Sequence, residues 1–310
     1  MLVALHIPDG FLSLPVAGGG WVLSLLLVAW ALRRTQQVLG EAVVPLFGIL
    51  AAFVFAAQVV NFPIVGGTSG HLLGAALAAV LLGPWAAVVV LSTVVLVQAV
   101  LFQDGGLLAL GCNLLNMAVL APLSAHVVYR VVGVSPGWRG VAAVLAGWLS
   151  VMVSAAATGA ELVWSGTFPA AVTLPALLGV YAVVGLGEGL ITAAVLAFLR
   201  RNRPALLERS LVVERDAAAS VATMGVAATL GVILLAPLAS EAPDGLEKVA
   251  EQAGVVGAAW EPWVKVFPDY VIDHLGANAF SVLAAVMVGT VTVFALTSLG
   301  LSAIRRKPGS

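Results

Sequence analysis

The chain has 310 residues, 61% of them hydrophobic and only 9% charged, with a mean hydropathy of +1.10. A chain this apolar is a polytopic membrane protein rather than a soluble domain. The net charge of −1 argues against nucleic acid as a partner. The single cysteine, Cys112, excludes an intrachain disulfide framework and a Cys-rich metal site. None of Lys248, Lys265 and Lys307 follows a glycine in a phosphate-loop pattern, so an ATPase of that kind would be another polypeptide.

In chain order, the first feature is Leu5-His6-Ile7-Pro8-Asp9-Gly10, in a protein with four histidines. Nothing cationic precedes Arg33, so this start is not the charged region of a signal peptide. Apolar runs over residues 16–32, 43–60, 71–82, 85–102, 107–129, 140–158, 170–199, 220–238 and 279–302 predict an all-α protein with about nine transmembrane helices. The third run is short for a span, and Gly83-Pro84 ends it. It is expected to be tilted or to sit over a loop dipping into the protein, where other parts of the protein cover its polar groups.

Positive charges set the orientation. Arg33 and Arg34, Arg130 and Arg139, the group Arg200, Arg201, Arg203, Arg209 and Arg215, and the closing Arg305, Arg306 and Lys307 all fall on the cytoplasmic side if there are nine spans. The N-terminus and the loops around 61–70, 103–106, 159–169 and 239–278 then face outward. The expected organisation is a seven-span unit (1–203), a charged cytoplasmic linker (204–219) and a two-span hairpin (220–310). The hairpin's long outer loop contains Pro243-Asp244-Gly245-Leu246-Glu247.

Two histidines stand out as metal ligands. A histidine in second position offers the free amine, its own amide nitrogen and a ring nitrogen as two fused, planar chelate rings, a set suited to nickel(II). His6 is sixth as numbered, but Leu5 could be an alternative start codon, which would make the amine at residue 5 a ligand. Its plainer reading is an interfacial histidine at a helix start. His71 follows Gly66-Gly67-Thr68-Ser69-Gly70, where glycines allow close approach to a ligand and Ser69 could cap the following helix. By the charge rule it shares a membrane side with His6.

Gln58, Asn61, Asn113 and Asn116 lie at or within apolar runs, and Asp9 lies beside His6. Such groups either bridge helices or orient a metal-bound imidazole. Glu188, in a glycine-rich mid-span setting, could neutralise a cation pathway or pin a helix pair. Glu161 is expected at a solvated outer edge. Gly74, Ala75, Ala78 and Ala79 form a small-residue face that fits either a partner helix or this chain's own interior.

Four segments carry a resemblance: His6-Ile7-Pro8-Asp9-Gly10-Phe11, Phe55-Ala56-Ala57-Gln58-Val59-Val60-Asn61-Phe62-Pro63, Gly67-Thr68-Ser69-Gly70-His71-Leu72-Leu73-Gly74 and Gly111-Cys112-Asn113-Leu114-Leu115-Asn116-Met117. Over roughly residues 5–203 the chain resembles the CbiM/NikM family, the substrate-capture components of energy-coupling-factor cobalt and nickel importers. Residues 220–310 resemble the family's two-span accessory component, fused here. The resemblance implies a metal site made by the amine of Leu5 (as initiator), His6 and His71. Around it, the residues themselves offer Asp9, Gln58, Asn61, Ser69, Asn113 and Asn116 as candidate outer partners. The resemblance also implies Ni²⁺ or Co²⁺ as cargo with no resident cofactor, a separate membrane coupling subunit, two ABC ATPases, and the cell membrane of a bacterium or archaeon. The alternatives are a secondary metal transporter and an intramembrane serine protease built on Ser69. The latter would need His126, which falls at the opposite membrane face.

Overall fold

The structure is a computed structural model that describes residues 5–37, 40, 43–64, 67–202, 215–240, 242–262 and 265–304. Most of the linker 204–219 lies outside the described residues, as do Arg203, Arg209, Arg305, Arg306 and Lys307.

Helices dominate. The first, α1 (Leu14–Gln36), has a proline in its first turn and Arg33 and Arg34 in its last, placements that suit a helix's two ends. After it come α2 (Val44–Val59), a short antiparallel hairpin of β1 (Phe62–Ile64) and β2 (Thr68–Gly70), and α3 (Ala75–Leu82). The next helix, α4 (Pro84–Val97), ends in a π-helical turn over Gln98–Phe102. A second π-helical segment, Leu114–Leu120, joins α5 (Leu110–Asn113) to α6 (Ala121–Val132). Then follow α7 (Arg139–Trp164), α8 (Ala170–Asn202), α9 (Arg215–Ile233), the short α10 (Gly245–Ala253) and α11 (Ala279–Ile304).

Six helical stretches are long and apolar enough to cross a membrane, and Val44–Val59 and Ala222–Leu238 are shorter apolar helices. Large apolar side chains such as Leu25, Leu26, Leu190 and Leu299 point outward from these helices, as lipid-facing positions require. The chain is a multi-pass integral membrane protein.

The third apolar run departs from a full span. Its first residues are the end of a loop, and α3 has only eight residues, about 12 Å of rise against a hydrocarbon core of about 30 Å. The chain still traverses the molecule here. His71 lies at one end, while Leu82 and Gly83 line a cavity of about 1330 Å³ at the other, together with Arg130, Arg139 and Arg200.

The small-residue face is internal. Ala75, Ala78 and Ala79 are buried, and a side chain on Gly74 would run into Val54. Glu161 is also buried rather than solvated, and the Asn116 amide donates to it at 2.7 Å from the π-helical segment Leu114–Leu120.

Candidate metal-capture site

At one end of the helices the segments 5–13, 60–74, 103–109 and 240–278 meet. The first is pinned by backbone bonding. Gly106 N–H donates to Ile7 O at 2.9 Å, and the Asp9 carboxylate accepts from the N–H groups of Leu107, Leu108 and Ala109 at 2.8–3.1 Å. Asn113 grips Ile7 on both sides: it accepts from Ile7 N–H at 2.8 Å and donates to Ile7 O at 3.1 Å. The loop 103–106 comes so close that a side chain on Gly105 (φ +95°) would lie 3.1 Å from the His6 Cβ. These contacts bury His6 completely.

His71 is fixed differently. Its Nδ1 lies 2.8 Å from Leu72 O, and since a carbonyl only accepts, this assigns the ring hydrogen to Nδ1 and leaves the Nε2 lone pair free. Two residues on, Leu73 is clamped from both sides. Its N–H donates to Glu188 Oε2 at 2.9 Å, and its carbonyl accepts from Gln58 Nε2 at 2.8 Å. The same Glu188 carboxylate faces the N–H groups of Gly74 and Ala75. Glu188 is thus the cap of α3, and its carboxylate meets the positive end of that half-helix.

The two imidazoles come together, with ring centroids 5.9 Å apart and planes tilted by 31°. The Nε2 atoms of both rings are buried without a partner. Buried polar atoms are nearly always satisfied, so two such nitrogens on neighbouring rings single out this place. Leu5 N–H, at the position of the expected amine, donates to Tyr181 Oη at 3.1 Å. Residues 1–4, and Gly66 of the loop, lie outside the described residues.

Burial first, and then the neighbouring His6 ring, push the His71 pKa down from 6.5 to about 4. Asp104 shows the opposite balance. Burial alone would raise its carboxyl, but His6, whose Nδ1 is 3.1 Å from Oδ1, holds it below the usual carboxylate range. Burial raises Tyr270 well above the ordinary phenol value, with Asp104 adding to it.

The outer partners expected from the sequence act on the loops, not on the rings. Ser69 does not cap α3: Gly74 occupies that position, and Ser69 Oγ donates to Ala242 O at 2.7 Å. Gln58 and Asn113 hold backbone. Asp9 anchors residues 107–109. Asn116 turns away to Thr158 and Glu161. Asn61 meets the C-terminal part through its carbonyl, which accepts from Ser240 N–H at 2.8 Å. None of these side chains hydrogen-bonds an imidazole; the His71 ring meets a backbone carbonyl, and the His6 ring meets the Asp104 carboxylate. Among the described residues, no three His, Cys, Asp or Glu side chains are spaced to hold one ion. Sequence reasoning missed Asp104 and Tyr270. The one available signal was that Asp104 is one of only three acidic residues between 43 and 199.

The 240–278 segment closes over this end. Pro243 O accepts from Ser69 N–H at 2.8 Å and from Thr68 Oγ1 at 2.9 Å, and Asp244 bridges to Ser69 as an added strand would. Asp244 and Glu247 form a reciprocal capping box that starts α10. Gly245 is required here, since a Cβ would lie 2.9 Å from the Tyr181 ring. The serine-protease geometry is absent: Ser69 donates to a carbonyl, and His126 lines the cavity at the opposite end.

A family model described as the cobalt uptake substrate-specific transmembrane region matches residues 6–206. A chain of Archaeoglobus fulgidus, provisionally named a fused nickel transport protein NikMN, is 37% identical over 94% of this chain and 96% of its own length. The cobalt transport protein CbiM of Sorangium cellulosum is 35% identical over 70% of this chain and all of its own length. A crystal structure of a truncated transition metal transporter superposes with a TM-score of 0.58 at 32% identity, covering 63% of this chain and 98% of that one. The protein is a membrane component of metal transport, and it belongs to the CbiM family.

Proposed function

We propose that this chain captures Ni²⁺ or Co²⁺ at the outer membrane face as one part of an ATP-driven importer of the energy-coupling-factor type. The observation that carries this reading is the meeting of the His6 and His71 rings, with centroids 5.9 Å apart and nitrogens on both rings buried without a hydrogen-bond partner. A neutral imidazole is the common nitrogen ligand for these metals. The terminal amine completes the set if the mature chain begins at residue 5, and N-terminal mass spectrometry of the native protein tests that start.

Residues 1–203 form the capture unit and residues 220–310 the accessory unit, whose Pro243–Glu247 segment grips the loop carrying His71. ATP hydrolysis belongs to two separate ATPases, and a membrane coupling subunit links them to this chain. The orientation follows the charge rule, and the loops assigned to the outside share the end that holds both histidines. Radiolabelled nickel or cobalt uptake by cells carrying the full set of subunits tests the reading. Uptake should be lost in the His6→Ala, His71→Ala double variant. Undiminished uptake would contradict it.

A further inference from the structure

Two neutral imidazoles leave the charge of a captured dication uncompensated in a space closed to water. An ion buried in that way is costly unless an opposite charge lies beside it. Asp104 is such a charge. It is 6% exposed, and its Oδ1 lies 3.1 Å from His6 Nδ1. The contact is close but not aligned, and neither atom makes a directed hydrogen bond. Asp104 thus stands on the Nδ1 side of the His6 ring, and His6 Nε2 and His71 Nε2 are likewise buried without a hydrogen-bond partner.

The other carboxylate oxygen is fully engaged. Tyr270 Oη donates to Asp104 Oδ2 at 2.7 Å. Tyr270 comes from the C-terminal part of the chain and is itself buried. Its ring stacks on Phe102 with centroids 4.5 Å apart and lies 6.2 Å from Phe55. Phe267 N–H donates to Leu101 O at 2.9 Å, fastening the same segment to the end of the π-helical turn. Asp269 and Tyr270 both hold positive φ, at 54° and 59°. Non-glycine residues adopt that conformation only where surrounding contacts enforce it, and such residues cluster at functional places.

We propose that Asp104 is the counter-charge of the captured dication, acting beside the His6 ring, and that Tyr270 is a positioning residue that fixes the carboxylate with Oδ1 facing His6 Nδ1. The inference rests on the capture site proposed above. It makes the C-terminal part of the chain a structural contributor to metal binding and not only a cover over it. Asp104 is assigned as a charge partner and not a ligand, since no three acidic, cysteine or histidine side chains among the described residues are spaced for one ion.

The test is Ni²⁺ titration of the purified full-length chain in detergent, reading affinity and the nickel absorption spectrum. Asp104→Asn should weaken binding by about 10–100-fold, the usual effect of removing an outer partner of a metal ligand, and Asp104→Glu should recover part of the loss. Tyr270→Phe keeps the ring stack but leaves Asp104 Oδ2 without its donor, so it should lower the thermal stability of the metal-free chain modestly and, in the fraction that stays folded, shift the nickel spectrum and weaken binding. If the His6→Ala, His71→Ala variant loses nickel but Asp104→Asn and Tyr270→Phe bind like the unmodified chain with its spectrum, the proposal is overturned and the capture site stands. If the double-histidine variant itself binds normally, both fall. Should Asp104→Asn fail to fold, Asp104→Glu and Tyr270→Phe decide the question.

Discussion

His6 and His71 approach the same space from unlike surroundings. His6 sits on a segment pinned by backbone hydrogen bonds and by the two-sided grip of Asn113, and its ring faces a carboxylate. His71 sits on a loop whose hold is a carboxylate and an amide closing on Leu73, and its ring donates to a carbonyl. The first arrangement places charge beside the ring. The second gives the ring a backbone carbonyl as its direct partner and spends the nearby acid, Glu188, on a helix end. The contrast implies a division of labour: one imidazole works beside the site's anion, and the other is a neutral donor set by its tautomer.

The largest expected effects separate ligand from support. His6→Ala and His71→Ala, made singly, should each weaken nickel binding by more than the roughly 10–100-fold typical of outer partners. Equilibrium dialysis with the full chain measures this, and a normal affinity in either variant would remove that ring from the site. Glu188→Ala should follow, leaving the N–H groups of Leu73, Gly74 and Ala75 without an acceptor, at about 1–3 kcal/mol for each buried donor. It should lower thermal stability in detergent and weaken metal binding together, with Glu188→Gln milder. Asn113→Ala should do the same on the His6 side by orphaning one donor and one acceptor on Ile7. If either variant lost only stability, its loop would not be what places the ring.

A pH experiment sharpens the contrast from the His71 side. With its pKa lowered to about 4, the folded chain resists a proton that the unfolded chain accepts near 6.5. The unfolded state therefore binds more protons between those values, and stability falls as pH drops from about 6.5 towards 4, by at most about 3 kcal/mol. Histidine NMR of the metal-free chain should show the His71 ring neutral down to pH 5, and a midpoint near 6.5 would refute its desolvated setting. The smallest effect is expected from Ser69→Ala, which removes one hydrogen bond to Ala242 O and should cost about 1 kcal/mol in thermal stability.

Much of this was legible in the sequence, for reasons particular residues make plain. Long apolar runs with arginines at one end define α1, α7 and α8, because bilayer thickness and charge placement are written into composition. The histidine pair was legible through the motifs around it. The half-helix was not, because apolarity across 71–82 does not distinguish a span from an extended strand leading into two helical turns. The cap on α3 was not, because Glu188 lies 115 residues from Leu73. The Asp104–Tyr270 link spans 166 residues, and its two partners are ordinary in local sequence. Long-range pairing of polar groups depends on which loops meet, and no local pattern encodes that.

X-ray absorption of the nickel- or cobalt-loaded full-length chain asks most directly whether two imidazoles hold one ion. The expected spectrum carries outer-shell scattering from two histidine rings per metal, one ring in each single variant and none in the double variant. A spectrum without imidazole scattering, or one unchanged when both histidines are replaced, would contradict it.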